Sequence, residues 1–266
     1  MERYQSLFAQ CRENNSIAFI PFVMLGDPDL ETSYQIITTL IDSGADALEL
    51  GIPFSDPVAD GPTIQAAAIR ALQADVTPKQ CFELLQRVRA YAPSIPIGLL
   101  LYSNLVYRDG IEHFYQRCRT ADIDSLLIAD VPLRETNVFD EYALQNRIAP
   151  VHILPPTPSE KTLMTVAKRS RGYTYVLGRA GVTGTESQAV MPSNETMQAL
   201  TDYQAAPPVM GFGISSPDHV MQAKAHGFSG VISGSAVVKI IEEHRQDPSS
   251  MCQALKTFVQ QMKAAT

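Results

Sequence analysis

The chain has no tryptophan, no C-x-x-C pair, no apolar run long enough to cross a bilayer and no excess of basic residues. Most of these absences remove a class of function. Cys11, Cys81, Cys118 and Cys252 are far apart and sit among helical patterns, so they read as buried thiols of a reduced protein rather than as a disulfide framework. The longest apolar runs are strand-sized, well short of the roughly 20 residues of a membrane helix. Met1 to Gln5 reads as the start of an amphipathic helix rather than a signal peptide, and the expected location is the cytoplasm. With 21 Lys and Arg against 28 Asp and Glu, the formal charge is −7, which argues against nucleic acid or an anionic membrane as partner. It also leaves no cationic surplus for a phosphorylated substrate. Every lysine (79, 161, 168, 224, 239, 256, 263) falls in a helical stretch or at its start, which disfavours a Schiff-base lysine at a strand end. His113, His219, His226 and His244 lie in helices or at helix ends, and His152 alternates outward between Val151 and Ile153, so no metal cluster is expected.

What the chain does have is a repeat of short apolar runs, at 17–25, 45–50, 95–102, 125–129, 150–154, 173–177, 208–212 and 230–233. Each is followed by a Gly-, Pro- or Asp-rich break and then a helical pattern. Runs this short and uniformly apolar suit parallel strands covered on both faces. Thr77-Pro78-Lys79-Gln80 is a capping box with Pro at the first helical position, and Thr157-Pro158-Ser159-Glu160 reads as a second. Ser216-Pro217 and Asp247-Pro248 start further helices, while Gly44 and Gly227 stand where helices end. No linker or composition shift divides the chain. Eight strand–helix units in this length predict an α/β fold: one (β/α)8 TIM barrel over residues 1–266, with an extra N-terminal helix. An open doubly wound sheet is the alternative.

Barrel enzymes carry their chemistry at the C-terminal ends of the strands. In the second run, alternation turns Leu48 and Leu50 toward the helical shell and Ala47 and Glu49 into the barrel. A carboxyl desolvated there gains a raised pKa, as a general acid/base near neutrality requires; the plain alternative is a structural Glu paired to a polar neighbour. The loop after it adds Asp56 and Asp60 among prolines and glycines. Two acids in different environments over one mouth divide naturally into acid and base roles, though Asp56 before Pro57 equally fits turn chemistry. Glycines at the ends of the seventh and eighth runs (Gly211, Gly213 and Gly234, before Ser235 and a helix) match the recurrent phosphate site of barrels. The long stretch from Gly178 to Ser187 reads either as a closing lid or as a plain surface loop.

These residues together resemble the tryptophan synthase alpha chain family. The likeness runs from Glu2-Arg3-Tyr4 to the last helix and includes Pro21-Phe22-Val23, Gly26-Asp27-Pro28, the whole stretch from Gly44 to Gln65, and Pro96-Ile97-Gly98-Leu99-Leu100. It continues through Ala129-Asp130-Val131-Pro132, Gly172-Tyr173-Thr174-Tyr175, Gly181-Val182-Thr183-Gly184, Gly211 to Pro217 and Gly230 to Ile241. The resemblance implies retro-aldol cleavage of indole-3-glycerol phosphate, with Glu49 as acid/base and Asp60 accepting the indole N–H. It assigns Phe22, Leu100, Leu127, Ala129, Ile153, Tyr175, Phe212 and Ile232 to the indole pocket. Gly184, Gly213, Gly234 and Ser235 would hold the phosphate, and Arg179 and Thr183 belong to the lid. It further implies no cofactor in this chain and a pyridoxal-phosphate beta chain as partner in an α2β2 heterotetramer, met through Pro53, Asp56, Pro57, Asn104 and Pro132. His152 departs from the family, standing where an apolar residue is common, and the lid beyond Thr185 follows no fixed pattern. Another barrel acting on a phosphorylated sugar or indole precursor, such as an isomerase, and a non-catalytic activator of a beta chain are the rival readings.

Overall fold

The computed structural model describes residues 2–178 and 191–266. Its strands are β1 (Ala18–Met24), β2 (Leu48–Gly51), β3 (Ile97–Leu101), β4 (Ser125–Ile128), β5 (Ala149–Pro150), β6 (Ile153–Leu154), β7 (Thr174–Leu177), β8 (Pro208–Gly211) and β9 (Gly230–Ser233). They form one sheet in the order β5-β4-β3-β2-β1-β9-β8-β7-β6, with every pair parallel. The two ends of that order, β5 and β6, are separated in the chain only by Val151 and His152. The sheet therefore curls into a barrel that closes through its own backbone, and the predicted α/β barrel holds.

The prediction differs from the structure in the fifth run, which is two short pieces rather than one strand. Proline explains the break. Pro150 has no N–H for a ladder, and Pro155 and Pro156 end the pairing just beyond β6. Val151 still donates to the carbonyl of Leu126 at 3.0 Å, and the carbonyl of His152 accepts from Tyr175 at 3.2 Å, so the segment bonds to both neighbours by turns. The second predicted capping box also moves. The helix Glu160–Arg169 is capped by Ser159, whose hydroxyl accepts from the amide of Thr162, and not by Thr157. Thr77, Ser216 and Asp247 cap as predicted, and Gly44 and Gly227 take the positive φ that helix ends require. Cys11, Cys81 and Cys118 are buried thiols, whereas Cys252 is only half-buried.

Helices sheath the barrel, and the helix Glu2–Glu13 packs against its N-terminal end. Tyr4 from this helix is buried, with its hydroxyl 3.0 Å from that of Ser125. It fits because Gly98 lies opposite: a Cβ there would stand 2.6 Å from the Ser125 hydroxyl and 3.0 Å from that of Tyr4. The bottom of the barrel is thus sealed by packing. What remains open is the rim at the C-terminal ends of the strands. Among the described residues no helix is long and apolar enough to cross a membrane.

Candidate active site

The register of β1, β2 and β3 places Phe22, Glu49 and Gly98 side by side. Glu49 faces a slot of about 730 Å³, counted out to its open mouth, at the C-terminal end of the barrel. Seven of the eight predicted pocket residues line it: Phe22, Leu100, Ala129, Ile153, Tyr175, Phe212 and Ile232. Leu127 does not. It lines a neighbouring cavity that shares Ala129 and Ile153 with the slot.

Two buried carboxyls meet this apolar wall. Glu49 is 2% exposed and Asp60 6%. Burial pushes the Glu49 carboxyl up to about 8, against a hydrogen bond from Tyr173 that favours its anion; the nearby charge of Asp60 pushes it further the same way. The Tyr173 hydroxyl donates to Oε1 at 2.9 Å, fixing the side chain without removing its proton affinity. Asp60 is raised to about 6, again by burial, with a hydrogen bond from Tyr102 opposing. The two acids are therefore set apart by their surroundings, the arrangement that separates an acid from a base.

Asp60 is held from several sides. Tyr102 stacks on Phe54 with ring centroids 5.4 Å apart, and its hydroxyl accepts from the amide of Ala59 at 3.2 Å. Gln65 donates to the carbonyl of Asp60 at 2.7 Å from the helix Pro62–Gln73, which begins two residues later with Pro at its first turn. That helix is tied to the loop after β1 by Arg70, which donates to both oxygens of the buried Asp27 at 2.7 and 2.8 Å. The loop after β2, long and proline-rich in sequence, is thus braced where its carboxylate must point.

The remaining wall is backbone. Phe212 has φ +73°, rare for a bulky residue, and Gly213 follows at +76°. Gly211 admits no side chain, because a Cβ there would lie 2.1 Å from the Tyr175 ring. Gly213, Ile214 and Ser215 after β8, and Gly234, Ser235 and Ala236 after β9, line the slot beside the start of the helix Ser235–Glu243. Gly184, Thr183 and Arg179 lie outside the described residues. Of the positions predicted for a partner, Asp56, Asn104 and Pro132 are exposed, Pro57 is half-buried, and Pro53 is buried beneath its loop. No group of three His, Cys, Asp or Glu able to hold a metal occurs among the described residues.

The sequence reading passed over Tyr173 and Tyr102, although the signal was present. Tyr173 has the parity of Tyr175 along one strand, and Tyr102 that of Leu100, so each faces the barrel interior with a residue already assigned to the pocket.

Two carboxyls of raised pKa around an apolar slot, at the C-terminal rim of a parallel barrel, define a barrel enzyme equipped for acid–base chemistry on a largely apolar substrate. A sequence profile described as tryptophan synthase alpha chain matches residues 8–266. The tryptophan synthase alpha chain of Escherichia coli K12 is 57% identical over 266 residues, covering 100% of this chain and 99% of that one. The structure of Mycobacterium tuberculosis tryptophan synthase superposes with a TM-score of 0.88 at 28% identity, over 99% of this chain and 97% of that one. The tryptophan synthase α2β2 complex of Pyrococcus furiosus, described in terms of mutual activation, gives 0.80 at 29% identity, over 92% and 97%. The chain belongs to the tryptophan synthase alpha chain family. Its activity is that of a carbon–carbon lyase, cleaving indole-3-glycerol phosphate to indole and glyceraldehyde 3-phosphate.

Proposed function

We propose that this cleavage is carried out in the slot, with Glu49 as the acid/base and Asp60 as the partner of the indole nitrogen. The buried Glu49 carboxyl, held protonated near neutrality, supports that division most strongly. Protonation of indole C3 by Glu49 turns the ring into an electron sink and leaves positive charge at N1. The Asp60 carboxylate accepts the N1–H and stabilises that charge. As the bond from C3 to the glycerol chain breaks, its electron pair returns to the ring. The adjacent hydroxyl gives its proton to the Glu49 carboxylate and becomes the aldehyde. Glu49 ends as it began, and the apolar wall keeps water out while the ring is cationic.

The phosphate is assigned to the amides of Gly213, Gly234 and Ser235, at the N-terminus of the helix Ser235–Glu243, where backbone N–H groups and the helix dipole favour an anion. The reading takes residues 1–266 as one barrel domain in the cytoplasm. Indole passes to a tryptophan synthase beta chain, which holds the pyridoxal phosphate, for L-tryptophan synthesis. The α2β2 complex of the Pyrococcus furiosus relative supports that partnership. So does the rim face around Asp56, Asn104 and Pro132, which also leaves Val58 74% and Tyr107 54% exposed.

The test is indole release followed across pH. Glu49 must be protonated and Asp60 ionised, so kcat/KM is expected to fall below about 6 and above about 8, with a plateau between. A profile flat from pH 5 to 9 would remove both assignments.

A further inference from the structure

We propose that Arg70 is a positioning residue for the cleavage, holding the Asp60 anchor and the phosphate anchor of the slot at one fixed separation. The inference rests on the site proposed above, in which Asp60 takes the indole nitrogen and the amides of Gly213, Gly234 and Ser235 take the phosphate. Both ends of that site stand at the heads of short helices. The helix Pro62–Gln73 begins two residues after Asp60 and holds its carbonyl through Gln65 at 2.7 Å. Gly234 and Ser235 open the helix Ser235–Glu243, where the amide of Val238 donates to the carbonyl of Gly234 at 2.9 Å. Wherever these two helices lie, the anchors follow. Each is succeeded by a second helix, Pro78–Tyr91 and Pro248–Ala264, which packs beside the helix Leu30–Asp42 around the barrel. The first helices are additions to the strand–helix repeat, and they pack on each other and on β1.

Apolar packing sets the distance between such helices more firmly than their register. The helix Pro62–Gln73 buries Ile64, Ala67, Ala68 and Ala71, while the helix Ser235–Glu243 buries Val237, Val238 and Ile241. A face made mostly of alanine offers few ridges to catch in a neighbour's grooves. Direction comes from Arg70. Its Nε and Nη2 donate to the two oxygens of Asp27 at 2.7 and 2.8 Å, and its Nη1 donates to Glu242 Oε1 at 3.4 Å. Asp27 belongs to the loop after β1, and Glu242 to the helix that opens at the phosphate site. One guanidinium thus ties the Asp60 helix to both. Its planar fork fixes angle as well as distance where it meets a carboxylate at two points.

The centre of the tie is withdrawn from water, with the Asp27 side chain 1% exposed and that of Arg70 12%. Pulling either partner away would leave a buried charge, so the tie resists opening. Gly26, one residue before Asp27, draws the same two pieces together. A Cβ at Gly26 would lie 2.7 Å from both methyls of Val76, whose amide donates to the carbonyl of Ala71 at 3.1 Å just past the helix Pro62–Gln73. The loop after β1 therefore closes onto the end of that helix beside the ion pair. Neither Arg70 nor Asp27 lines the slot. Their effect reaches the substrate only through the two helix heads, at Asp60 and at Gly234 and Ser235.

Ligands that differ only in reach test this by calorimetry on the full chain: indole joined to phosphate through an ethyl, propyl or butyl linker at C3, with indole and glycerol 3-phosphate as the separate halves. Affinity is expected to peak at one linker and to fall about tenfold for a methylene more or less, since a joined ligand gains most when its linker matches the span. Arg70→Lys keeps the charge but not the fork. It should flatten the peak to about twofold, leave the affinity of each half within about twofold, and lower kcat about tenfold through misplacement of the substrate. An arginine that merely supports the fold would move the melting temperature and keep the peak. If Arg70→Lys folds poorly, Asp27→Asn combined with Arg70→Gln leaves no buried charge unpaired and should flatten the peak in the same way. A peak that survives in the variants, equal affinity for the three linkers in the unaltered chain, or halves that weaken along with the joined ligands overturns the proposal alone. Halves that fail to compete with the joined ligands in the unaltered chain remove both anchors, and count against the reading of the slot as well.

Discussion

Glu49→Gln is expected to lower kcat for indole release by about 10²–10⁴-fold, the range over which a single acid/base group acts. The amide fills the same space and still meets the Tyr173 hydroxyl, so the slot and its apolar wall persist, while no proton can be delivered to C3. Stability offers a second readout with the opposite sign. The folded-state pKa of Glu49, about 8, stands above its ordinary 4.5, so the folded chain binds the proton more tightly than the unfolded one. Stability from this group is complete below the ordinary pKa and is lost as pH rises toward 8. Gln cannot ionise. The variant should therefore melt above the wild type at pH 9, with the gap closing toward pH 5. An inactive variant that gains stability at high pH marks a group kept for chemistry against its cost in folding. An inactive variant that melts lower at every pH would mark a structural glutamate, and near-normal turnover would sink the assignment outright.

Asp60→Asn is expected to cost about 10²–10³-fold in kcat, the effect of removing one preorganised group facing developing charge. The amide retains the shape and can still accept a hydrogen bond from N1 through its oxygen, so substrate binding should suffer less than turnover. The loss thus belongs in kcat rather than KM, because the charge on N1 exists only after C3 is protonated. The acid limb of the pH profile near 6 should disappear with it. A variant with wild-type kcat and a raised KM would leave Asp60 a binding residue and place the cation's stabilisation elsewhere.

Most of the barrel was legible because its signals are local. Caps at Thr77, Ser216 and Asp247 mark helix starts through side chains that meet their own backbone, and uniform apolar runs mark strands buried on both faces. Glu49 was legible for the same reason, as one residue of the wrong polarity in an alternating strand. The misses share another cause. The break between β5 and β6 depends on which neighbour each proline denies a hydrogen bond, and Leu127 lines the cavity beside that break rather than the slot. Ser159 rather than Thr157 caps its helix because two hydroxyls two residues apart both fit the start, and the sequence pattern alone does not choose between them. The demand for glycine at position 211 comes from Tyr175, 36 residues away in sequence, and no local pattern carries it. Alternation turns His152 outward, but its partner Asp140, and the Arg169 that Asp140 also holds, come together only in the fold.

On the reading proposed here, Glu49 and Asp60 grip one substrate in one slot. It is tested most directly by a crystal structure of Glu49→Gln with indole-3-glycerol phosphate bound. The indole ring is expected between Phe22 and Tyr175, with its N1–H on the Asp60 carboxylate, its C3 facing residue 49 and the phosphate on the amides of Gly213, Gly234 and Ser235. An indole ring turned with its nitrogen away from Asp60, or a phosphate bound elsewhere on the rim, would contradict it.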